Sequence, residues 1–248
     1  MADFDFEKFK QDFIDGASSA AGSVADAMRS IGDDTGRIKQ FHETGHYLEH
    51  HDLISVTGGN LSVSDGSNIW ITRSGSKLGF LTPADIVTCA FTENDTDANA
   101  GTHNVSTDAR PHASVELNVH RAMYHACARI VSADAANSWA VVHAHPLNTI
   151  ALTLNADFMT PLDEEGLLYL GSSVPVLSAK DSIGSNEVAT LVANVVSGGG
   201  RIAIVRGHGS FAIATTLALA LQMTVALERS ARIILASKFA KRKAVCDA

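Results

Sequence analysis

The chain has few cysteines, an excess of acidic over basic residues and no long apolar runs. Each of these features excludes or disfavours a kind of protein. Its three cysteines, Cys89, Cys127 and Cys246, are scattered and show no Cys-x-x-Cys spacing. Such usage favours a reducing compartment over a disulfide-bonded secreted protein. The formal net charge of −8 disfavours nucleic acid or an anionic membrane as the main partner. An anionic small molecule is not excluded, because local charge can oppose the net sign.

No apolar stretch approaches the about 20 residues that a membrane-spanning helix needs. The first five residues, MADFD, are acidic and lack the apolar core of an export signal. We therefore expect a cytoplasmic protein without a membrane partner. What is present is ordinary for a globular protein: 46% hydrophobic and 19% charged residues in a chain of 248, long enough to bury a large core.

Hydrophobic periodicity and turn residues predict one α/β domain behind a helical leader. The leader covers residues 1–32, and the segment 32–36, rich in glycine and aspartate, links it to a domain at 37–240. Helices are predicted at 37–50, 113–128, 186–196 and 217–239, strands at 61–64, 69–72, 174–177 and 201–205 and around the His-x-His motif, and a loop at 93–108. There is no internal repeat, so we expect a single core.

Two short motifs supply histidines with the spacing of a metal site. His143 and His145 follow a short apolar run and are separated by one residue, so on a strand both imidazoles project from the same face. His208 follows a second apolar run, at 202–205. Three imidazoles that leave one position open are typical of catalytic rather than structural zinc. These three histidines are the predicted metal ligands.

The chain resembles the class II aldolase/adducin family from about residue 37 to residue 239. The motifs that carry the resemblance are, in order, TGGNLS at 57–62, ITRSG at 71–75, LTPADIV at 81–87, SVE at 114–116 with His120 and Tyr124 after it, VHAHP at 142–146, GHG at 207–209 and Glu228. Each motif is short, but their order and spacing together are specific.

The resemblance implies a role for each histidine and for one acid. His143, His145 and His208 match the zinc ligands, and Glu116 matches the carboxylate that binds the metal or acts as the catalytic base. A divalent metal then serves as a Lewis acid that stabilises an enediolate and promotes carbon–carbon cleavage. The implied cofactor is Zn²⁺ or another divalent transition metal, since such ligands suit several.

A glycine-rich loop at 57–60 is the predicted anion cradle, because its backbone N–H groups can approach an anion closely. By resemblance, Ser74-Gly75 and Ser114 complete a phosphate site. Arg73 departs from the family, which carries proline there, and restores anion affinity or recognises a carboxylate. The predicted substrate-binding residues are Thr57, Gly58, Asn60, Arg73, Ser74, Gly75 and Ser114.

Two further departures leave the substrate open. Val115 replaces a serine, and the segment that donates a tyrosine across the subunit interface in the family reads PLDEEG at 161–166, with Tyr169 the nearest phenol. The general acid for the aldehyde half of the reaction is therefore unassigned, and the substrate's phosphate is not established.

Two other motifs are interpreted as coincidental. The first, His42-Glu43-Thr44-Gly45-His46, fits the HExxH pattern of zinc peptidases but lacks a third ligand. We therefore expect a surface helix with His42, His46 and His50 on its solvent-exposed face.

The second, the stretch GHGSFA at 207–212, fits a dinucleotide fingerprint, with Glu228 at the distance of a ribose-binding acid. No strand follows to carry that acid, so nucleotide binding is rejected.

His120 lies four residues after Glu116 and therefore shares its face if the segment is helical. Three roles are open for His120: it orients Glu116, it binds substrate, or it makes a structural hydrogen bond.

The family fold is a three-layer α/β/α domain around a mostly antiparallel central sheet, usually in a homotetramer with sites between subunits. The resemblance implies a zinc-dependent aldehyde-lyase that cleaves a ketose phosphate, or a related hydroxy-keto acid, by retro-aldol chemistry. Decarboxylation of a 3-keto sugar acid, dehydration and 4-epimerisation use the same site, although epimerases usually carry aspartate at the position of Glu116. A non-catalytic adducin-like scaffold is disfavoured, because adducin heads lack the three histidines.

Overall fold

A computed structural model describes residues 34–91, 112–130 and 138–246. The predicted leader at 1–32 and the predicted loop at 93–108 lie outside these ranges. Within them the helices are α1 (Asp34–His50), α2 (Leu117–Ile130), α3 (Leu147–Thr153), α4 (Glu164–Leu170), α5 (Asn186–Ser197) and α6 (Leu217–Cys246). The strands are β1 (Asn60–Ser64), β2 (Asn68–Thr72), β3 (Ile86–Ala90), β4 (Trp139–Ala144), β5 (Phe158–Met159), β6 (Val174–Leu177), β7 (Ile202–Val205) and β8 (Gly209–Ala214).

The eight strands form one sheet in the order β3-β2-β1-β4-β8-β7-β6-β5. Neighbouring strands are antiparallel except β6 and β7, which are parallel. Helices cover both faces, so the predicted α/β architecture with a mostly antiparallel sheet is confirmed.

Strand β4 lies at the centre and is buried along its whole length, which explains its continuous apolar sequence. Its alternate residues belong to different cores. Ala140 and Val142 pack in the core formed with α1 and α6, whereas Val141 packs with Phe211 and Ile213 on the side of α2 and α5. His143 shares the face of Val141 and is fully buried, so a polar ring lies in the core on the side of α2 and α5.

Several elements differ from the sequence-based prediction. Helix α2 begins at Leu117 rather than at residue 113, because Ala113 forms an isolated β-bridge with Arg73 and the next three residues precede the helix. Strand β8 was not predicted, since four of its six residues (GSFAIA) are Gly, Ser or Ala, which weaken the strand signal of Phe211 and Ile213. The short helices α3 and α4 and the strands β3 and β5 were also missed.

No helix in the described ranges is both long and apolar enough to span a lipid bilayer.

Candidate metal centre

Three neighbouring points of the fold bring the histidines together. His143 lies on β4, His145 follows directly after that strand, and His208 lies in the turn between β7 and β8. Because β8 pairs with β4, the turn stands beside the end of β4. The three ligand atoms lie within 4.8 Å of one another, and no other group of three such side chains occurs in the described part of the chain. The predicted grouping of these histidines is therefore what the structure contains.

The turn that presents His208 depends on a glycine. The His208 N–H donates to the Val205 carbonyl at 3.0 Å, which closes a four-residue turn. The third residue of the turn, Gly207, has φ of +69°, a conformation that glycine adopts without steric cost. The Gly-His-Gly motif thus reflects backbone geometry as well as a ligand position.

Glu116 reaches the histidines from the segment just before α2. Its Oε2 lies 3.0 Å from His143 Nε2, and its Oε1 lies 3.8 Å from His208 Nε2. The Asn60 amide donates to Glu116 Oε2 at 2.8 Å. Asn60 stands directly opposite His143 in the β1–β4 register, so both side chains share a face of the sheet. Asn60, predicted within an anion cradle, therefore holds the carboxylate in this structure.

A hydrogen bond orients the His143 ring. Its Nδ1 lies 3.0 Å from the Ser210 carbonyl oxygen, which can only accept, so Nδ1 donates there and Nε2 is the ring nitrogen that faces the cluster. That Nε2 lies 3.0 Å from Nε2 of His145. Two nitrogens bound to one tetrahedral zinc at about 2.1 Å lie roughly 3.4 Å apart, close to this separation.

The donor set fits a divalent transition metal. His143 and Glu116 are buried, His145 and His208 are partly buried, and Glu116 Oε1 is buried without a hydrogen-bond partner. A divalent ion held between the four groups would supply the positive charge that they lack. The residues that would hold it are His143, His145, His208 and Glu116.

Burial and neighbouring charges set the protonation states that such a site needs. Burial, followed by the neighbouring His143 and His208, lowers the pKa of His145 to about 3. Burial and then His143 also lower the pKa of His208. Burial alone would raise the pKa of Glu116, but His143, His208 and the Asn60 amide outweigh it, so this pKa lies well below its usual range. Neutral imidazoles beside an ionised carboxylate are the forms that bind metal.

Two glycines allow the backbone to pack directly on His145. A Cβ on Gly58 would lie 2.7 Å from His145 Nδ1, and one on Gly209 would lie 2.8 Å from His145 Cδ2 and 2.2 Å from the Ala144 carbonyl oxygen. Such distances leave no room for a side chain. Gly58, predicted to contact an anion, thus also serves as packing space for a histidine.

The remaining predicted substrate residues lie on neighbouring segments. Ser114 is buried, and its Oγ accepts from the Glu116 N–H at 3.3 Å. The Ser74 N–H donates to the His112 carbonyl at 3.0 Å, which places the loop of Ser74 and Gly75 beside the segment leading to Glu116. Both residues and Thr57 are exposed.

Arg73, proposed to recognise an anion, already has an anionic partner. Its Nη2 lies 2.9 Å from Asp85 Oδ1. Burial opposes ionisation of Asp85, but hydrogen bonds from Thr82, Arg73 and Ser76 outweigh it and lower the Asp85 pKa to about 2. Arg73 is half-exposed, so one side of its guanidinium faces solvent while Asp85 fixes the other.

His120 makes the structural hydrogen bond that was one of its three predicted roles. Its Nδ1 lies 2.6 Å from Ser62 Oγ, which in turn lies 2.5 Å from the Tyr124 hydroxyl. Burial, the largest influence, lowers the pKa of His120 to about 3, so the ring is neutral at pH 7. This network lies wholly inside the core and ties α2 to β1.

Arg206 is a supporting residue that the sequence did not reveal. Its Nη1 donates to three carbonyls at the C-terminal end of α3 and in the loop after it, those of Thr153, Leu154 and Ala156, at 2.8–3.1 Å. Its Nη2 pairs with Asp157 at 2.8 Å. Arg206 thereby fixes the turn that carries His208, two residues further on.

Replacing Arg206 by lysine should weaken metal binding at this site by about tenfold. A single ammonium group cannot replace a planar guanidinium that hydrogen-bonds several acceptors. Residues that support metal ligands from outside typically change metal affinity by about 10- to 100-fold. Metal affinity from competition with a chromogenic chelator measures the effect. Arg201→Lys is the matched control, since Arg201 precedes the other end of β7 and stacks on Trp139. Equal affinities for both variants would show that Arg206 does not position His208.

The two motifs interpreted as coincidental lie on α1 and around the start of β8. His42, His46 and His50 are exposed on α1, so the HExxH pattern lies on a surface helix. The GHGSFA stretch does not open a helix, as a dinucleotide fingerprint requires, because Gly209–Ala214 is strand β8. Glu228 lies inside α6 and hydrogen-bonds Asn148 and Thr149.

Comparison with known proteins agrees with this geometry. A family model described as the class II aldolase and adducin N-terminal domain matches residues 39–235. The chain therefore belongs to the class II aldolase and adducin family.

Individual relatives point in the same direction. The chain is 28% identical over 194 residues to the L-fuculose phosphate aldolase of Methanococcus maripaludis, covering 76% of this chain and 90% of the relative. It superposes with a TM-score of 0.67 and 32% identity on the crystal structure of L-fuculose-1-phosphate aldolase from Thermus thermophilus, covering 82% of this chain and 95% of that one. A structure of YgbL from Escherichia coli, a putative aldolase/epimerase/decarboxylase, shares the fold with a TM-score of 0.65 and 19% identity, covering 82% of this chain and 89% of that one.

Proposed function

We propose that this protein is an aldolase-type lyase that cleaves a ketose phosphate, or a related hydroxy-keto acid, by retro-aldol chemistry. The observation that carries the proposal is the largely buried cluster of three histidines with an ionised carboxylate, Glu116, 3.0 Å from His143. Relatives named as L-fuculose phosphate aldolases support the same reaction class. The proposed cofactor is Zn²⁺ or another divalent transition metal held by His143, His145, His208 and Glu116.

The chemistry requires an electron sink and a proton carrier. In cleavage, the bond breaks between the carbon next to the carbonyl and the hydroxyl-bearing carbon beyond it. The hydroxyl gives up its proton to the group left unassigned above, its carbon becomes the aldehyde, and the electron pair stays on the carbon next to the carbonyl, which then takes up a proton. A bound divalent cation supplies Lewis acidity toward the substrate oxygens. Glu116 is proposed to shuttle the proton of the carbon at which the bond breaks, delivering it in cleavage and removing it in the reverse reaction. Asn60, which hydrogen-bonds Glu116 at 2.8 Å, orients this carboxylate.

The anionic end of the substrate is proposed to bind on the loops beside Glu116. Thr57, Ser74 and Gly75 are exposed, so their polar and backbone groups are accessible to a ligand. Gly58, Asn60 and Ser114 are proposed to line the inner end of the same site. Arg73 supplies positive charge, and its half-exposed guanidinium suits a phosphate or a carboxylate.

A homotetramer with sites at subunit interfaces is proposed from the family alone. The partner is a sugar phosphate or a sugar acid, with no nucleic acid or membrane. Decarboxylation, dehydration and epimerisation are the alternatives that use the same donor set. Each passes through a negative charge on a carbon next to a carbonyl group, which the same groups would stabilise.

The test is product analysis with the zinc-loaded protein. A panel of ketose 1-phosphates that includes L-fuculose 1-phosphate is assayed for dihydroxyacetone phosphate by coupled NADH oxidation, and 3-keto sugar acids are assayed for CO₂. We expect dihydroxyacetone phosphate from at least one ketose phosphate, abolished by chelation and restored by Zn²⁺. Release of CO₂ with no dihydroxyacetone phosphate would assign decarboxylation instead, and neither product would contradict the proposal.

A further inference from the structure

Helix α1 carries a row of histidines that the proposed active site does not use. Four of the chain's 11 histidines, His42, His46, His50 and His51, lie within ten positions. The first three recur every four residues and are exposed. The rings of His42 and His46 are 6.3 Å apart between centroids with planes 9° from parallel, and those of His46 and His50 are 6.1 Å apart and 19° from parallel.

The packing of α1 holds this row in place. Phe41, Thr44, Gly45 and Leu48 are buried and fix the opposite face of the helix on the protein. The histidines therefore project from a rigid, outward-facing scaffold. Residues four apart on a helix stand one above the other, which brings two imidazoles within reach of a single ion.

We propose that this face is a second transition-metal site, which binds one Cu²⁺, Ni²⁺ or Zn²⁺ per chain through His46 together with either His42 or His50. Imidazole selects these cations over Mg²⁺ and Ca²⁺, which prefer oxygen ligands. Water completes the coordination on the exposed side. Glu43 is not required, since its carboxylate pairs with Lys39 at 3.7 Å.

This arrangement differs from a zinc peptidase and from the buried cluster. The buried cluster would hold its ion with three histidines and a carboxylate, whereas the α1 row offers two alternative pairs that share a central member. Since both pairs need His46, they compete for it, and only one ion binds by chelation at a time.

The shared histidine gives the site a distinctive mutational signature. His46→Gln removes both pairs and should lower the association constant by at least about a hundredfold, because the advantage of two linked ligands is lost. His42→Gln or His50→Gln removes one of two equivalent pairs and should lower it only about twofold. The double variant His42→Gln/His50→Gln should match His46→Gln.

The experiment is calorimetric titration with Ni²⁺ at pH 7.5 of full-length protein that has been loaded with Zn²⁺ and then dialysed, first against a weak chelator that strips surface ions and then against plain buffer. His51→Gln is the matched control, since its exposed ring stacks on Tyr47 at 4.1 Å and belongs to neither pair. We expect one Ni²⁺ per chain for the wild type and for His51→Gln, and the loss described above for His46→Gln. Unchanged binding in His46→Gln, or equal losses for all four single variants, would overturn the proposal. The substituted residues lie on the surface, so we expect every variant to fold, and thermal melts check this.

Discussion

Glu116→Gln is expected to lower the rate of carbon–carbon cleavage by about 10³-fold while the protein stays folded, because general acid–base catalysis typically contributes 10²- to 10⁴-fold. Glutamine keeps the shape of the side chain and one oxygen for the Asn60 amide, which now donates to Glu116 at 2.8 Å. It cannot carry the proton that the reaction moves. Steady-state rates with a cleavable ketose phosphate measure the loss.

The interpretation depends on separating proton transfer from metal loss. Metal content is therefore measured on the same samples, and the three histidines should retain the ion in Glu116→Gln. Glu43→Gln is the control, since Glu43 is exposed on α1. A Glu116→Gln enzyme that keeps its metal and works within tenfold of the wild-type rate would exclude Glu116 as the proton carrier.

Glu228→Ala is expected to lower the free energy of unfolding by about 3–5 kcal/mol, because removal of a buried carboxylate leaves several donors unpaired. Glu228 is buried in α6 and accepts hydrogen bonds from the backbone N–H and side chain of both Asn148 and Thr149, at 2.6–3.0 Å. These groups form the first turn of α3, whose N-cap residue, Pro146, has no side-chain hydrogen bond to offer. Urea denaturation measures the change.

Two variants make this prediction specific. Glu228→Gln keeps one acceptor and should cost less than the alanine variant. Glu165→Ala removes a half-exposed carboxylate that pairs with Arg229, and surface pairs of this kind contribute about 0–1 kcal/mol. A loss below 1 kcal/mol in Glu228→Ala would mean that water replaces the carboxylate at α3. Because α3 starts two residues after His145, the alanine variant should also weaken metal binding.

The parts of the fold set by local pattern were predictable from sequence. The apolar run before His143 specified β4, and the strand at 174–177 and the helix beginning at residue 186 were found with little error. Each has its own signal, such as Ser185, which caps α5 by accepting from the Val188 N–H. The grouping of His143, His145 and His208 followed from the same strand ends together with the family motifs.

What escaped prediction depends on contacts between distant residues. Nothing local shows that Glu228 caps α3, 80 residues earlier in the chain, or that Arg206 closes the other end of that helix. The role of Asn60 at Glu116 follows from the β1–β4 register, which sequence alone does not fix. Strand β8 was missed because its pairing with β4 and β7, rather than its small residues, makes it a strand.

The proposed function depends on a divalent transition metal held by His143, His145 and His208. Metal content per chain, measured by mass spectrometry after dialysis against Zn²⁺ and then a weak chelator that strips surface ions, tests it most directly. We expect about one equivalent in the wild type and in the control His51→Ala, and almost none in His208→Ala, with all three folded by circular dichroism. One equivalent retained in His208→Ala, or none in the wild type, would show that these three histidines do not form a metal site.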